Sequence, residues 1–235
     1  MKAISKGTLC AVLAVCGLMT VASASALAAT PQLVNKNDAK LAKNKFTLSA
    51  IEPTYEWRQG TLICKSMSAT GEVTGTRTVG KVTVLLKGCA GSQLSCKNET
   101  VGEEPVIKSL TLDGRIGWIN EKEKLIGLTL ESENPKYKEI EGKKIYEKPA
   151  LWAEFACGGG NRKLLGQYLG KFAIAEEHLT TTLPVEYRKS LPTTFESESK
   201  VELVQSIAGG GDEAAWILAP GGAKLQVEEE AQLLP

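Results

Sequence analysis

The residues able to carry chemistry are few and unevenly spaced. The chain has one histidine, His178, six cysteines and four tryptophans. Only three of its 27 acids are aspartates, Asp38, Asp113 and Asp212. One imidazole excludes a metal site that needs two from the same chain. Nothing matches a calcium loop of the D-x-D-x-D-G kind. His178 follows Glu176 and Glu177, but no G-x-S-x-G nucleophile turn accompanies it, so it reads as an isolated histidine. Gly75-Thr76-Arg77-Thr78-Val79-Gly80-Lys81 has phosphate-loop spacing. The next residue is Val82 where Ser or Thr would bind magnesium, and an alternating strand follows where a helix is needed. The sequence therefore predicts glycine-punctuated turns here, no metal and no cofactor.

Carboxylates remain the one abundant chemical group. A pair of glutamates assembled from distant strands is the requirement for glycoside hydrolysis, and no two stand out by spacing. Glu154, in Leu151-Trp152-Ala153-Glu154-Phe155, lies beside Trp152 and opposite Phe155 by alternation. Trp152 and Glu154 are therefore the candidate sugar contact. Trp57, Trp118, Trp152 and Trp216 together are either a stacking platform or core anchors. Gly158–Gly160 and Gly209–Gly211 read as turn devices.

The elements that must position these residues begin after an export signal. Lys2 and Lys6 precede an uncharged apolar run over 8–21 and a small-residue stretch, the three-part plan of a signal peptide over 1–28 with cleavage after Ala28 or a neighbouring alanine. Removing it takes away two lysines and no acid, so the formal charge of +1 becomes −1. Near-neutral charge argues against a nucleic-acid partner. No other stretch is long enough for a membrane-spanning helix. Four cysteines remain, Cys64, Cys89, Cys96 and Cys157, and an even count in an exported chain predicts two disulfides. They lack C-x-x-C spacing. Of the three pairings, a short ring at a strand end and buried faces at the other two favour Cys89–Cys96 with Cys64–Cys157.

Residues 29–45 read as a flexible, polar lead-in. From 46 onward, short alternating runs separated by turn residues predict strands: 61–65, 81–87, 106–112, a hairpin of 116–119 with 125–130, then 150–157 and 164–173. Asp113-Gly114 reads as a turn. Residues 121–148 carry seven acids and seven bases and read as a solvated charged region. From Phe195 onward there are eight acids and two bases; within this stretch 201–207 and 214–218 read as candidate further strands, and 226–232 as either a short acidic helix or a strand. The expected fold is all-β, an antiparallel sandwich or barrel of short strands. It would span a domain over 46–210, with an acidic C-terminal segment over 211–235.

Two stretches carry a resemblance. One runs through Ile63-Cys64-Lys65-Ser66, Ala69-Thr70-Gly71-Glu72-Val73-Thr74-Gly75, Thr78-Val79-Gly80-Lys81-Val82 and Gly88-Cys89. The other is Leu112-Asp113-Gly114-Arg115-Ile116-Gly117-Trp118-Ile119-Asn120 with Lys124-Leu125-Ile126-Gly127-Leu128. Over about 60–170 the chain resembles an uncharacterised family of predicted secreted bacterial proteins. The resemblance implies a signal peptide and a β-rich, cysteine-containing ectodomain, and it transfers no activity. The sequence thus predicts a secreted or cell-envelope-associated, non-enzymatic surface or ligand-binding β domain, with a glycan or cell-envelope component as partner. The alternative is an exported glycan hydrolase.

Overall fold

A computed structural model describes residues 30–57, 60–91, 94–132, 137–140, 143–146, 151–172, 179–186, 194–196, 199–200, 203–207, 212–218 and 222–234. The signal segment, His178 and Gly209–Gly211 lie outside these residues. All regular structure among the described residues is β, and every pairing is antiparallel.

The strands close into two eight-membered rings. In the first, Thr78–Lys87 is followed by Leu112–Asn120, Leu125–Ser132, Tyr168–Phe172, Thr180–Glu186, Ala223–Leu234, Lys45–Ile51 and Ser66–Val73, which returns to Thr78–Lys87. Gln32–Val34, Glu104–Lys108 and Glu99–Val101 attach outside this ring. The second ring runs Leu151–Cys157, Gly160–Gly166, Leu203–Ile207, Asp212–Leu218, Thr54–Trp57, Gly60–Ile63, Ala90–Gly91 and Leu94–Lys97, closing on Leu151–Cys157. Closure leaves neither ring with an unpaired edge.

The two rings share hairpins. Lys45 faces Glu72 and Ile51 faces Ser66 in the first ring, while Thr54 faces Ile63 and Trp57 faces Gly60 in the second. These pairs belong to one register. The Glu52 N–H donates to the Lys65 carbonyl at 3.1 Å and the Cys64 N–H to the Pro53 carbonyl at 3.0 Å, so the ladder continues across the junction. Proline is tolerated there because its carbonyl supplies the bond and no N–H is required of it. Glu52 next to it takes a left-handed φ of 50°, which bends the strand.

Alternation fills the interior. Lys45–Ile51 reads outward, inward, outward along its length: Phe46, Leu48 and Ala50 are buried while Lys45, Thr47, Ser49 and Ile51 face solvent. Between the rings, the buried Trp152 stacks on the buried Tyr168, with ring centres 6.1 Å apart and planes inclined by 10°. The Tyr168 hydroxyl reaches the Met67 sulfur at 3.3 Å. Gly71 faces Phe46, whose ring covers it; a Cβ there would stand 2.8 Å from two ring carbons.

Several expectations are corrected. The segment 29–45 is drawn into the fold: Gln32–Val34 pairs with the end of Ala223–Leu234, the Leu33 N–H donates to the Thr76 carbonyl at 2.7 Å, and Leu33, Val34 and Leu41 are buried. Leu33 and Leu41 join the main apolar core, which is how so polar a segment is held. The acidic segment over 211–235 contains two full strands. Ala223–Leu234 buries Ala223, Leu225, Val227, Ala231 and Leu233 and exposes Glu228 and Glu230, so the stretch 226–232 is strand, and longer at both ends than its sequence indicated. Asp113-Gly114 is no turn but lies inside Leu112–Asn120. Gly114 is needed there because the Thr129 carbonyl occupies the place of a side chain. The charged stretch 121–148 includes a separate hairpin, Tyr137–Ile140 with Lys143–Tyr146. The expected strand over 164–173 divides into Gly160–Gly166 and Tyr168–Phe172, one in each ring.

The disulfides are Cys64–Cys89 and Cys96–Cys157, with Cα atoms 3.9 and 4.2 Å apart. The expected pairing of Cys89–Cys96 with Cys64–Cys157 is therefore wrong. Cys89 does face Cys96, but bonding them would leave Cys64 and Cys157 separated by two intervening strands. At about 4.8 Å per strand that gap exceeds the roughly 7 Å Cα reach of a disulfide.

Candidate functional site

On the outside of the first ring, strand register assembles a surface that no stretch of sequence contains. Thr182 faces Gln226, Gln226 faces Thr47, Thr47 faces Thr70, and Thr70 faces Thr83. This is one row across five strands. The next row toward the second ring is Pro184, Lys224, Ser49, Ser68 and Leu85. Thr47, Thr70, Gln226, Lys224 and Ser49 are exposed, and Thr83, Thr182 and Ser68 are half-buried. On the other side of the threonine row stand Lys45 and Glu72, which face one another, with Lys81 Nζ 3.0 Å from Glu72 Oε2.

Between the threonine row and the charged row lies a trough of about 260 Å3. Lys45, Thr47, Thr70, Gln226 and Glu228 wall it. Phe46, Gly71 and Val227 form its floor through their backbones, because Phe46 and Val227 turn their side chains inward. The Thr47 hydroxyl is 3.5 Å from Gln226 Oε1. The hydroxyls of Thr47 and Thr70 and the amide of Gln226 both donate and accept, Lys45 and Glu228 add one charge of each sign, and most of the exposed lining is carbon. Such a face suits a polyhydroxylated ligand held by many exchanges of hydrogen bonds. Each is worth about 0.5–1.5 kcal/mol net, so affinity must come from their number.

The residues singled out in the sequence are not brought together. Trp152 is 1% exposed and Glu154 is outward. Simple alternation would place them on one face, but a register shift between Leu151 and Ala153 turns Trp152 into the core. No sugar can reach that indole. Its Nε1 is buried with no hydrogen-bond partner among the described residues. Glu154 instead faces Lys163, with 4.0 Å between Oε1 and Nζ, half-exposed on both sides and contributing little. Trp118 is half-buried against the core. Trp57 and Trp216 sit on the paired strands Thr54–Trp57 and Asp212–Leu218, and their side chains lie outside the described residues. Of Gly75–Lys81 only the first three residues form the hairpin turn and Thr78 to Lys81 belong to the strand Thr78–Lys87; the Thr74 and Gly75 N–H groups donate to the Thr78 carbonyl at 2.9 and 3.2 Å. Gly158 and Gly159 turn Leu151–Cys157 into Gly160–Gly166, both with positive φ. Among the described residues no three His, Cys, Asp or Glu side chains gather as metal ligands would.

Two polar clasps escaped the sequence reading. Glu196 takes a left-handed φ of 54° and accepts from the Trp118 N–H at 2.9 Å, while its own N–H donates to the Trp118 carbonyl at 2.7 Å. Arg77 Nη2 lies 2.8 Å from the same carboxylate. Beside it, Phe195 is buried with Ile119, against Leu125 and Leu169. Together they strap 194–200 onto Leu112–Asn120. At the other clasp Glu229 accepts from the Lys43 N–H at 3.0 Å and the Ala42 N–H at 2.7 Å. These bonds, led by that from Lys43, hold its carboxyl below the ordinary range, against a smaller opposing effect of desolvation. Neither clasp has a signal in sequence, since each joins residues more than seventy positions apart.

No family model, curated protein or solved structure matches this chain.

Proposed function

We propose that this protein is an exported, non-enzymatic β module that binds a glycan or other polyhydroxylated cell-envelope component on the outer face of its first ring. The observation that carries the reading is the row Thr182–Gln226–Thr47–Thr70–Thr83 and the trough beside it. Trp152, the aromatic that the sequence offered for stacking on a sugar, is spent on packing against Tyr168, which leaves the hydroxyl face as the candidate surface. Two disulfides are compatible with a compartment outside the cytosol. Outward faces that are polar over an apolar interior invert the polarity of a lipid-embedded barrel.

The test is a glycan array and sedimentation with insoluble polysaccharides, run beside chromogenic glycosides. Thr47→Lys with Thr70→Lys introduces two charges into the trough at exposed positions. Binding is expected to fall at least tenfold, with the melting temperature held. Glycoside turnover abolished by a single Glu substitution would establish the hydrolase instead. Undiminished binding by the double variant would remove the trough from consideration.

A further inference from the structure

The four cysteines stand in one row across neighbouring strands. Cys64 faces Cys89 within the register that Ile63 shares with Ala90 and Ser66 with Lys87. Cys89 faces Cys96 in the register of Ala90 with Ser95, and the Cys96 N–H donates to the Cys89 carbonyl at 2.9 Å. Cys96 in turn faces Cys157. All four side chains are buried in the same core. Bonds join the first pair and the last pair. The middle two, nearest in sequence, are left unjoined although they are neighbours in the row.

We propose that this row is a thiol–disulfide exchange site through which the chain is assembled. The Cys89–Cys96 bond forms first, as its two thiols surrender two electrons and two protons to a disulfide donor that is reduced to its thiols, and the thiolate of Cys64 then resolves it. Cys64 Sγ attacks Cys89 Sγ, the Cys89–Cys96 bond breaks, and the Cys64–Cys89 bond forms. The electron pair leaves on Cys96, which takes up the proton that Cys64 lost. This step needs no oxidant. Cys96 and Cys157 then surrender two electrons and two protons to a disulfide donor, which is reduced to its thiols. The register sets nucleophile, attacked sulfur and leaving group on three successive strands at about 4.8 Å intervals, the in-line order that exchange requires.

Loop closure explains why the unjoined pair bonds first. Closure probability falls with about the three-halves power of separation. Cys89 and Cys96 are seven positions apart, against 25 and 61 for the native pairs. Cys89–Cys96 is then favoured about sevenfold over Cys64–Cys89 and about 25-fold over Cys96–Cys157. The same scaling favours resolution by Cys64 over attack by Cys157 on Cys96 about fourfold. The partner implied is a dithiol–disulfide oxidoreductase, which accelerates this exchange.

The test is oxidative refolding of the reduced chain in a glutathione couple, with samples acid-quenched, alkylated and mapped by mass spectrometry. Cys89–Cys96 should dominate the species with one disulfide and decay as Cys64–Cys89 rises. Isolated and freed of oxidant, that species should convert to Cys64–Cys89 unaided, and alkylation of its thiols should stop it. In Cys64→Ser the loss of the Cys89–Cys96 bond should slow about fivefold, a readout that does not require the variant to fold. The inference fails if a native bond accumulates first, or if Cys64→Ser leaves the decay unchanged. None of these outcomes bears on glycan binding.

Discussion

Replacing Gly117 by alanine tests whether the strap over 194–200 is held as described. A Cβ at 117 would stand 2.6 Å from Phe195 Cζ and 2.7 Å from Glu196 Cδ, and would overlap Glu196 Oε1. No small adjustment relieves this, because Phe195 is wedged among Ile119, Leu125 and Leu169 while Glu196 is fixed at both its carboxylate and its N–H. The strap must lift. Lifting it forfeits the burial of one phenylalanine, about 1.5–3 kcal/mol, and one hydrogen bond to a charged acceptor, about 1.5–3 kcal/mol. The Arg77–Glu196 pair is partly exposed and adds at most about 1 kcal/mol. The sum, about 3–7 kcal/mol, is an upper bound, since the left-handed φ of Glu196 is relieved at the same time. Opening is local, so the melting temperature understates it. Amide exchange reads it directly: the Trp118 and Glu196 N–H groups are expected to exchange roughly 10²- to 10⁵-fold faster, at about 1.4 kcal/mol per decade. Amides of Lys45–Ile51 should be unaffected. Unchanged exchange at Trp118 in Gly117→Ala would refute the strap's docking altogether.

Other consequences follow from the same geometry. The Glu229 carboxyl is held below its ordinary 4.5 by the amides of Lys43 and Ala42, so its anchoring is present above that value and lost as pH falls through the lowered folded value. Protection of the Ala42 and Lys43 amides, taken relative to their intrinsic exchange rates at each pH, should therefore fall on acidification below about 4.5, and Glu229→Gln should flatten that dependence. Gly71→Ala drives a methyl into Phe46 and Val82, and equilibrium denaturation should register a loss of about 1–3 kcal/mol. In the chain-entropy account, removing Cys64–Cys89 costs about 3.5 kcal/mol and removing Cys96–Cys157 about 4.3. Urea melts of the two double-alanine variants should rank them in that order.

The class of fold was legible because it rests on local pattern. Val82, Val84 and Leu86 alternate with Lys81, Thr83, Leu85 and Lys87 in the sequence, and the strand Thr78–Lys87 buries the first three. The hairpin of Leu112–Asn120 with Leu125–Ser132 was visible for the same reason, with only its ends extended. What could not be read was anything that depends on register between distant strands. The threonine row is five separate residues until Lys45–Ile51 is laid between Ser66–Val73 and Ala223–Leu234. The disulfide partners likewise follow from which strands are neighbours, and loop length pointed to the wrong one. Trp152 shows a third kind of failure: a single shifted residue reverses a face, and no side-chain pattern announces it.

The hairpins that run from one ring into the other also decide when the molecule can close. Asp212–Leu218 sits between Leu203–Ile207 and Thr54–Trp57, and Ala223–Leu234 sits between Thr180–Glu186 and Lys45–Ile51. Each ring therefore waits for the same final stretch of polypeptide. A nascent chain stopped at 211 would hold two open sheets with four raw borders, ready to pair with any strand nearby. Threading from the amino end, the protein stays adhesive until its carboxyl-terminal ribbon arrives and seals both cylinders together.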